Sequence, residues 1–269
     1  MCRIAASSNH RDRETAIAPP FDDRQYNRPS ELLPDSIRLL RSLVYAVDSL
    51  ASDFDVVELC QQLLETCTEV TGATDAGLLL ADQRGELQLL ASTNESLRLL
   101  GLLQHEGPSL YAYRNKTVAS VPDLRATTNG WPEFAAAASA AGYRSAYAVP
   151  LRLHRDSIGA LTILATSATA LGQLDLRIGQ ILADTAAVGI AQHMLLADGA
   201  AIQAQLPTAL NLRVAIEQAK GVLAERGERD MDRAFQIMRG HARATGQRLT
   251  DIAGDIVEGR IDLRTDMAD

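Results

Sequence analysis

From Ser36 onward, apolar residues recur every three or four positions, at Ile37, Leu40, Val44, Val47 and Leu50, a period that predicts a helix. A second helix follows, with Val56, Leu59, Cys60, Leu63, Leu64, Cys67 and Val70 on one face and Gly72 as its stop. Ala76 to Ala81 and Glu86 to Ala91 then flank the turn-rich Asp82-Gln83-Arg84-Gly85, which predicts a hairpin. A helical stretch spans 96–103, a loop surrounds Glu106-Gly107-Pro108, and short strand material covers Thr117 to Ser120. Trp131-Pro132-Glu133-Phe134 opens a small-residue helix that reaches Ala141. Two stronger strands, Arg144 to Leu153 and Ser157 to Ala165, close the segment around His154-Arg155-Asp156. Hairpins joined by helical crossovers describe an α+β domain with one central antiparallel sheet flanked by helices.

A long helix, Leu174 to Leu196, leaves that domain. Ile181, Val188 and Leu195 repeat every seven residues, and the spacing continues through Ile202, Ala209, Ile216 and Leu223. Such a seam predicts a homodimer held by a coiled coil. The other seam position is poor (Asp184, Ala191, Asp198, Gln205), and Gly199 and Pro207 interrupt, so a helix folded back on its own sheet is the competing expectation. Three more helices fit residues 208–259. The first carries Leu212, Ile216, Ala219 and Leu223, and stops at Gly227. The second, capped by Asp230, carries Met231, Ala234, Phe235, Met238 and Ala242. The third carries Leu249, Ile252, Ala253, Ile256 and Val257 and ends at Gly259. Three apolar stripes close a small core, though a unit of some 50 residues is marginal by itself.

Residues 1–35 are polar and broken by four prolines, so they bury too little apolar surface to order and read as a disordered arm. The domains expected are therefore the arm (1–35), an α+β domain (36–196), a helical linker (197–207) and a three-helix module (208–262). The net charge of −8 argues against a protein coated in nucleic acid or lying on an anionic membrane. The acid is unevenly spread: residues 37–207 carry 11 basic and 17 acidic side chains, residues 208–264 carry 10 and 9. No apolar run approaches the ~18 residues needed to span a bilayer, and nothing resembles a signal peptide. The three cysteines, Cys2, Cys60 and Cys67, form no metal-ligand spacing, and the last two share a helical core face. A soluble cytoplasmic protein with reduced thiols, no metal site and no catalytic residues is expected.

Basic groups mark the outward faces of the C-terminal module. Arg239 and Arg243 stand four apart on one helix face, as do Arg229 and Arg233, with Lys220, Arg226 and Arg248 on the neighbouring helices. Taken as charge pattern only, they also fit a solvated face paired with Glu225, Glu228, Asp230 and Asp232. Gly221 costs its helix roughly 1 kcal/mol against alanine, which suggests close approach by another helix or by a binding partner.

The string Glu217-Gln218-Ala219-Lys220-Gly221-Val222-Leu223, with Asp232-Arg233-Ala234-Phe235 and Arg248-Leu249-Thr250-Asp251-Ile252-Ala253, resembles an ANTAR domain, the RNA-binding module of bacterial antitermination regulators. The preceding domain is similar to actinobacterial GAF domains. The carriers are Glu106-Gly107-Pro108, Val121-Pro122-Asp123-Leu124, Trp131-Pro132-Glu133-Phe134 and Tyr147-Ala148-Val149-Pro150-Leu151. Ser109 stands where many such relatives carry a cysteine, so thiol chemistry is not expected at that loop. The resemblance implies a GAF domain sensing an unknown signal, with a small ligand of unspecified chemistry and no assigned cofactor-binding residues. It implies binding to hairpin loops of nascent RNA, with Arg213, Lys220, Gly221, Arg226, Arg239, Arg243 and Arg248 as the RNA-binding set. Only Phe235 is aromatic in the module, so arginine planes would supply base stacking. The alternative is a non-RNA signalling dimer, or a small-molecule sensor whose C-terminal module is degenerate. An enzyme of the methionine sulfoxide reductase kind is disfavoured because Cys60 and Cys67 belong to a core face.

Overall fold

The computed structural model describes residues 55–94, 106–126, 131–198, 202–227 and 230–263. The expected arm and the predicted helices at 37–50 and 96–103 lie outside them. Helix α1 (Val56–Thr71) starts where Asp55, in extended conformation, accepts hydrogen bonds from the Val57 and Glu58 amides through Oδ1 at 2.9 and 3.2 Å. It stops at Gly72, whose φ of 68° is left-handed. Strands β1 (Asp75–Ala81) and β2 (Leu87–Ser92) form the first hairpin, closed by Asp82 Oδ1 accepting from the Arg84 and Glu86 amides. Helix α2 (Pro108–Asn115), strand β3 (Ala119–Val121) and helix α3 (Pro132–Ala140) lead to the second hairpin, β4 (Ser145–Leu153) and β5 (Asp156–Ala165).

All neighbouring strands are antiparallel, in the order β2-β1-β5-β4-β3. Alternation along the central strands assigns the two faces. Leu78 and Leu80, Tyr147, Val149 and Leu151, and Leu161 and Ile163 pack beneath α1 and α4 (Gln173–Asp198). The residues between them, such as Leu79, Ala146, Ala148, Ala160 and Leu164, turn to the face covered by α2 and α3. With helices on both sides, β1 is buried along its whole length, which is why it reads as an apolar run rather than an alternation.

Helices α5 (Ile202–Gly227), α6 (Met231–Thr245) and α7 (Leu249–Val257) form the C-terminal bundle. Ile216, Ala219, Leu223, Ala234, Met238, Ala242, Ile252, Ala253 and Ile256 meet in its centre. Asp230 caps α6 through the Arg233 amide at 2.7 Å, and Gly246, φ 66°, ends it. This core is continuous with that of the sheet domain, so the bundle is attached by shared apolar surface as well as by the chain.

Three differences from the sequence expectations have physical reasons. Helix α2 begins immediately at Pro108 where a loop was expected. Helix α5 starts at Ile202 and runs through Pro207, so most of the expected linker is the first turns of the module's own helix. Finally, the seven-residue seam is not one surface: α4 and α5 are separate helices that pack on each other. Ile216 and Leu223, 2% and 1% exposed, are consumed by the bundle core, while Ile181 and Val188, 46% and 48% exposed, face outward.

Candidate nucleic-acid interface

The basic residues of the module divide into two buried groups and a surface set. On α5, Arg213 and Lys220 converge on Glu217, at 3.1 and 3.3 Å. Lys220 is only 3% exposed, and its ammonium stands 5.6 Å from the centre of the Phe235 ring. Both cations line a cavity of about 220 Å³ between α1, the end of β2, α5 and α6, together with Gln61, Glu217, Asp232 and Phe235. Burial pushes the Lys220 amine down to about 8 from the usual 10.5, and the Asp232 charge acts the other way. The unfolded chain therefore binds more protons than the folded one between about pH 8 and 10.5, and stability rises with pH across that window. Urea unfolding at pH 7.5 and pH 10 is expected to show a gain on the order of 2 kcal/mol that vanishes in Lys220→Met. An equal pH response in both proteins would refute the buried-amine account.

On α6, Arg239 and Arg243 both turn toward α1. Arg239 Nε lies 2.7 Å from Glu58 Oε2, and its other nitrogens hold Glu65, Nη2 at 3.0 Å from Oε2 and Nη1 closely on Oε1. Arg243 Nη2 reaches Glu58 Oε1 at 2.7 Å. Arg239 is 4% exposed, while half of the Arg243 side chain remains accessible. Next to them, Asp55 uses its second oxygen, Oδ2, to accept from the Thr250 amide in the first turn of α7 at 2.7 Å. One aspartate thus caps the sensory helix and ties down the last helix of the bundle.

Arg226 is exposed near the end of α5, and Arg248, partly exposed at the start of α7, pairs with Asp251 at 2.8 Å. A Cβ added at Gly221 would have nothing within 4 Å. Of the two explanations for this glycine, close packing by another helix finds no counterpart among the described residues. The sequence names the cations of the module, but no local pattern marks Glu58 and Glu65 as the partners of Arg239 and Arg243, or Asp55 as the acceptor of the Thr250 amide. The signal available was an acidic edge on α1 at positions 55, 58 and 65, seen only once the partner helix is known.

On the opposite face of the sheet, the sensory motifs meet one another. Glu106 Oε1 accepts from the Glu133 and Phe134 amides at 2.6 and 3.0 Å, capping α3 from the Glu-Gly-Pro loop. Ser109 Oγ lies 2.6 Å from Thr162 Oγ1, and Tyr111 meets Trp131 edge to face at 5.7 Å. Cys60 and Cys67 are buried under the other face. Burial pushes both thiols up, Cys67 to about 12, which keeps them from acting as thiolates at neutral pH.

Comparison with known families decides the assignment. The GAF domain family matches residues 55–191 and the ANTAR domain family matches residues 204–257. The chain belongs to the GAF family and carries a C-terminal ANTAR domain. In this GAF–ANTAR protein, the sheet with α1 to α4 is the GAF domain, and the three-helix bundle is the ANTAR domain. A signal-sensing regulator is the architecture these two domains define. No curated protein matches the sequence. Solved structures similar to the GAF domain include that of free methionine-R-sulfoxide reductase from Neisseria meningitidis in complex with its substrate. It shares 19% identity over 61% of this chain and 92% of that one, with a TM-score of 0.48. The GAF domain of an Acinetobacter phosphoenolpyruvate-protein phosphotransferase shares 15% identity over 60% and 96%, with a TM-score of 0.46. That of the Coxiella burnetii phosphoenolpyruvate-protein phosphotransferase shares 16% over 62% and 99%, with a TM-score of 0.45. Among the described residues of the GAF–ANTAR protein, no helix is long and apolar enough to cross a membrane. No cluster of metal-ligating side chains occurs among them either.

Proposed function

We propose that the GAF–ANTAR protein is a cytoplasmic antitermination regulator, with the ANTAR domain binding hairpin loops of nascent RNA and the GAF domain sensing a small ligand without catalytic turnover. The observation that carries this reading is the ANTAR match over residues 204–257 with guanidinium groups of Arg226, Arg243 and Arg248 at the surface of that same domain. Cations at such positions neutralise phosphates, and splayed loop bases supply sequence. In a salt titration of stem-loop binding, Arg226→Gln and Arg248→Gln are each expected to reduce the salt slope by about one. Gly221→Ala is expected to stabilise α5 by up to about 1 kcal/mol and yet weaken binding, because the open space beside Gly221 is where RNA backbone approaches. Folded variants that all bind like wild type would overturn the reading in favour of a salt-bridged surface serving protein contacts only.

The protein acts as a homodimer in this proposal, but through α4 rather than through the whole predicted seam. Leu174, Ile181 and Val188 recur at seven-residue steps on α4 and are 41–48% exposed, which supports an apolar stripe seated against a second copy. Sedimentation of the full chain at micromolar concentration is expected to give a dimer, and Ile181→Asp/Val188→Asp a monomer. A monomeric wild type ends this part of the proposal.

A further inference from the structure

We infer that the closed arrangement is an inhibited state, in which Glu58 and Glu65 of the GAF domain occupy the guanidinium groups that RNA phosphates would otherwise take. The inference rests on the RNA-binding reading above and names its regulation. Arg239 meets two carboxylates at once, Glu58 at 2.7 Å and Glu65 at 3.0 Å, with four oxygens arranged around one planar fork. Arg243 adds a further contact to Glu58 at 2.7 Å. Carboxylates in this geometry present to guanidinium what a phosphate pair presents: paired anionic oxygens at the edge of the donor plane. Glu58 and Glu65, seven residues apart, lie on one face of α1, so a single helix edge supplies both anions.

Occupancy excludes RNA twice over. The Arg239 side chain is 5% exposed, so no phosphate reaches it while α6 rests on α1. Lys220 is likewise covered, 4% exposed along its side chain, beneath the cavity between the domains. The docking is also attached at a third point, where Asp55 accepts the Thr250 amide. These contacts all join the GAF helix to the ANTAR domain across 174 to 195 residues of sequence, so moving the bundle away from α1 breaks all of them. An isolated structural salt bridge would not collect every cation of α6 that also stands among the RNA-binding set.

The closed form combines these ion pairs with the apolar surface the two domains share, and the ion pairs are the part of it that a change of charge can undo. When the carboxylates lose their charge, a guanidinium left buried alone is strongly unfavourable, and hydration of Arg239 requires α6 to leave α1. Apparent RNA affinity then rises by the inverse of the fraction of open molecules.

The test uses the full chain with Glu58→Gln/Glu65→Gln, a pool of stem-loop RNAs with randomised loops, and amide hydrogen exchange over α5 to α7. Faster exchange in the variant together with at least roughly tenfold tighter RNA binding supports the inference, that factor corresponding to an open fraction of a tenth or less in wild type. Equal RNA affinity in wild type and variant, both binding, overturns the inference and leaves the RNA-binding reading standing. Released helices with no RNA bound by either protein overturn that reading, and the inference falls with it. If the double variant fails to fold, Glu65→Gln removes only the more accessible of the two carboxylates and is expected to shift exchange and affinity in the same direction by a smaller factor. Unchanged values for a folded Glu65→Gln would count against the inference equally.

Discussion

Gly159→Ala is expected to destabilise the protein by at least about 3 kcal/mol, or to prevent folding. Gly159 stands in β5 at the centre of the sheet, opposite Leu80 on one side and Leu151 on the other. A Cβ there would overlap the Leu79 carbonyl oxygen and come within 3.1 Å of the Leu80 Cα. Both obstacles are backbone of the neighbouring strand, so no side-chain rotation relieves them, and β1 and β5 must separate. The register between β4 and β5 already shifts at Leu151/Arg152, beside this glycine, and the sheet uses the missing side chain to bring strands together there. Urea denaturation checks the loss, with Gly221→Ala, which meets open space, as the contrasting substitution. A Gly159→Ala protein within 1 kcal/mol of wild type, as an order of magnitude for tolerated surface changes, would show that the close approach is not what the geometry indicates.

The second large effect is expected at Arg239. Removing its side chain in Arg239→Ala leaves Glu58, 12% exposed, with Arg243 alone and strips Glu65 of the guanidinium that faced it. Loss of one member of a buried ion cluster costs about 3 kcal/mol, most of it the penalty of the charges left behind. The same logic predicts recovery when the charges go together. Arg239→Met combined with Glu58→Gln and Glu65→Gln is expected to regain more than half of that loss. Arg239→Lys is not expected to substitute, because one ammonium cannot fork between two carboxylates as a planar guanidinium does. Equilibrium unfolding of the three proteins decides the matter. A single variant indistinguishable in stability from the triple one would mean that the carboxylates were never burdened by their burial.

The sheet was legible because its register obeys a period of two. Tyr147, Val149 and Leu151 face one layer of helices and Ala146 and Ala148 the other, so both hairpins were bounded to within a residue or two by apolar runs and by the Asp82–Gly85 and His154–Asp156 turns. Helix α2 escaped because eight residues make barely two turns and bury only Pro108, Leu110 and Ala112, too few positions to establish a 3.6-residue period. The seven-residue seam misled for a different reason. Spacing records which residues share a helix face, and Ile216 and Leu223 satisfy it equally when that face is buried in their own bundle. Of the site, the cations were visible as residue types in a recognisable string. Their carboxylate partners were not, since Glu58 and Arg239 are 181 residues apart and no local pattern links them.

The order in which the chain leaves the ribosome gives the double duty of Asp55 a temporal meaning. Its Oδ1 organises the first turn of α1 as soon as that helix forms, whereas the Thr250 amide that binds its Oδ2 is made 195 residues later. Helix α7 ends about 60 residues behind the end of α4, an interval of roughly 3–12 s at ordinary synthesis rates. During those seconds the sheet domain, once folded, displays the acidic edge of α1 without the arginines of α6 that later meet it. Newborn protein is therefore expected to pass through a stage in which that edge is open to other basic surfaces, until the C-terminal helices cover it.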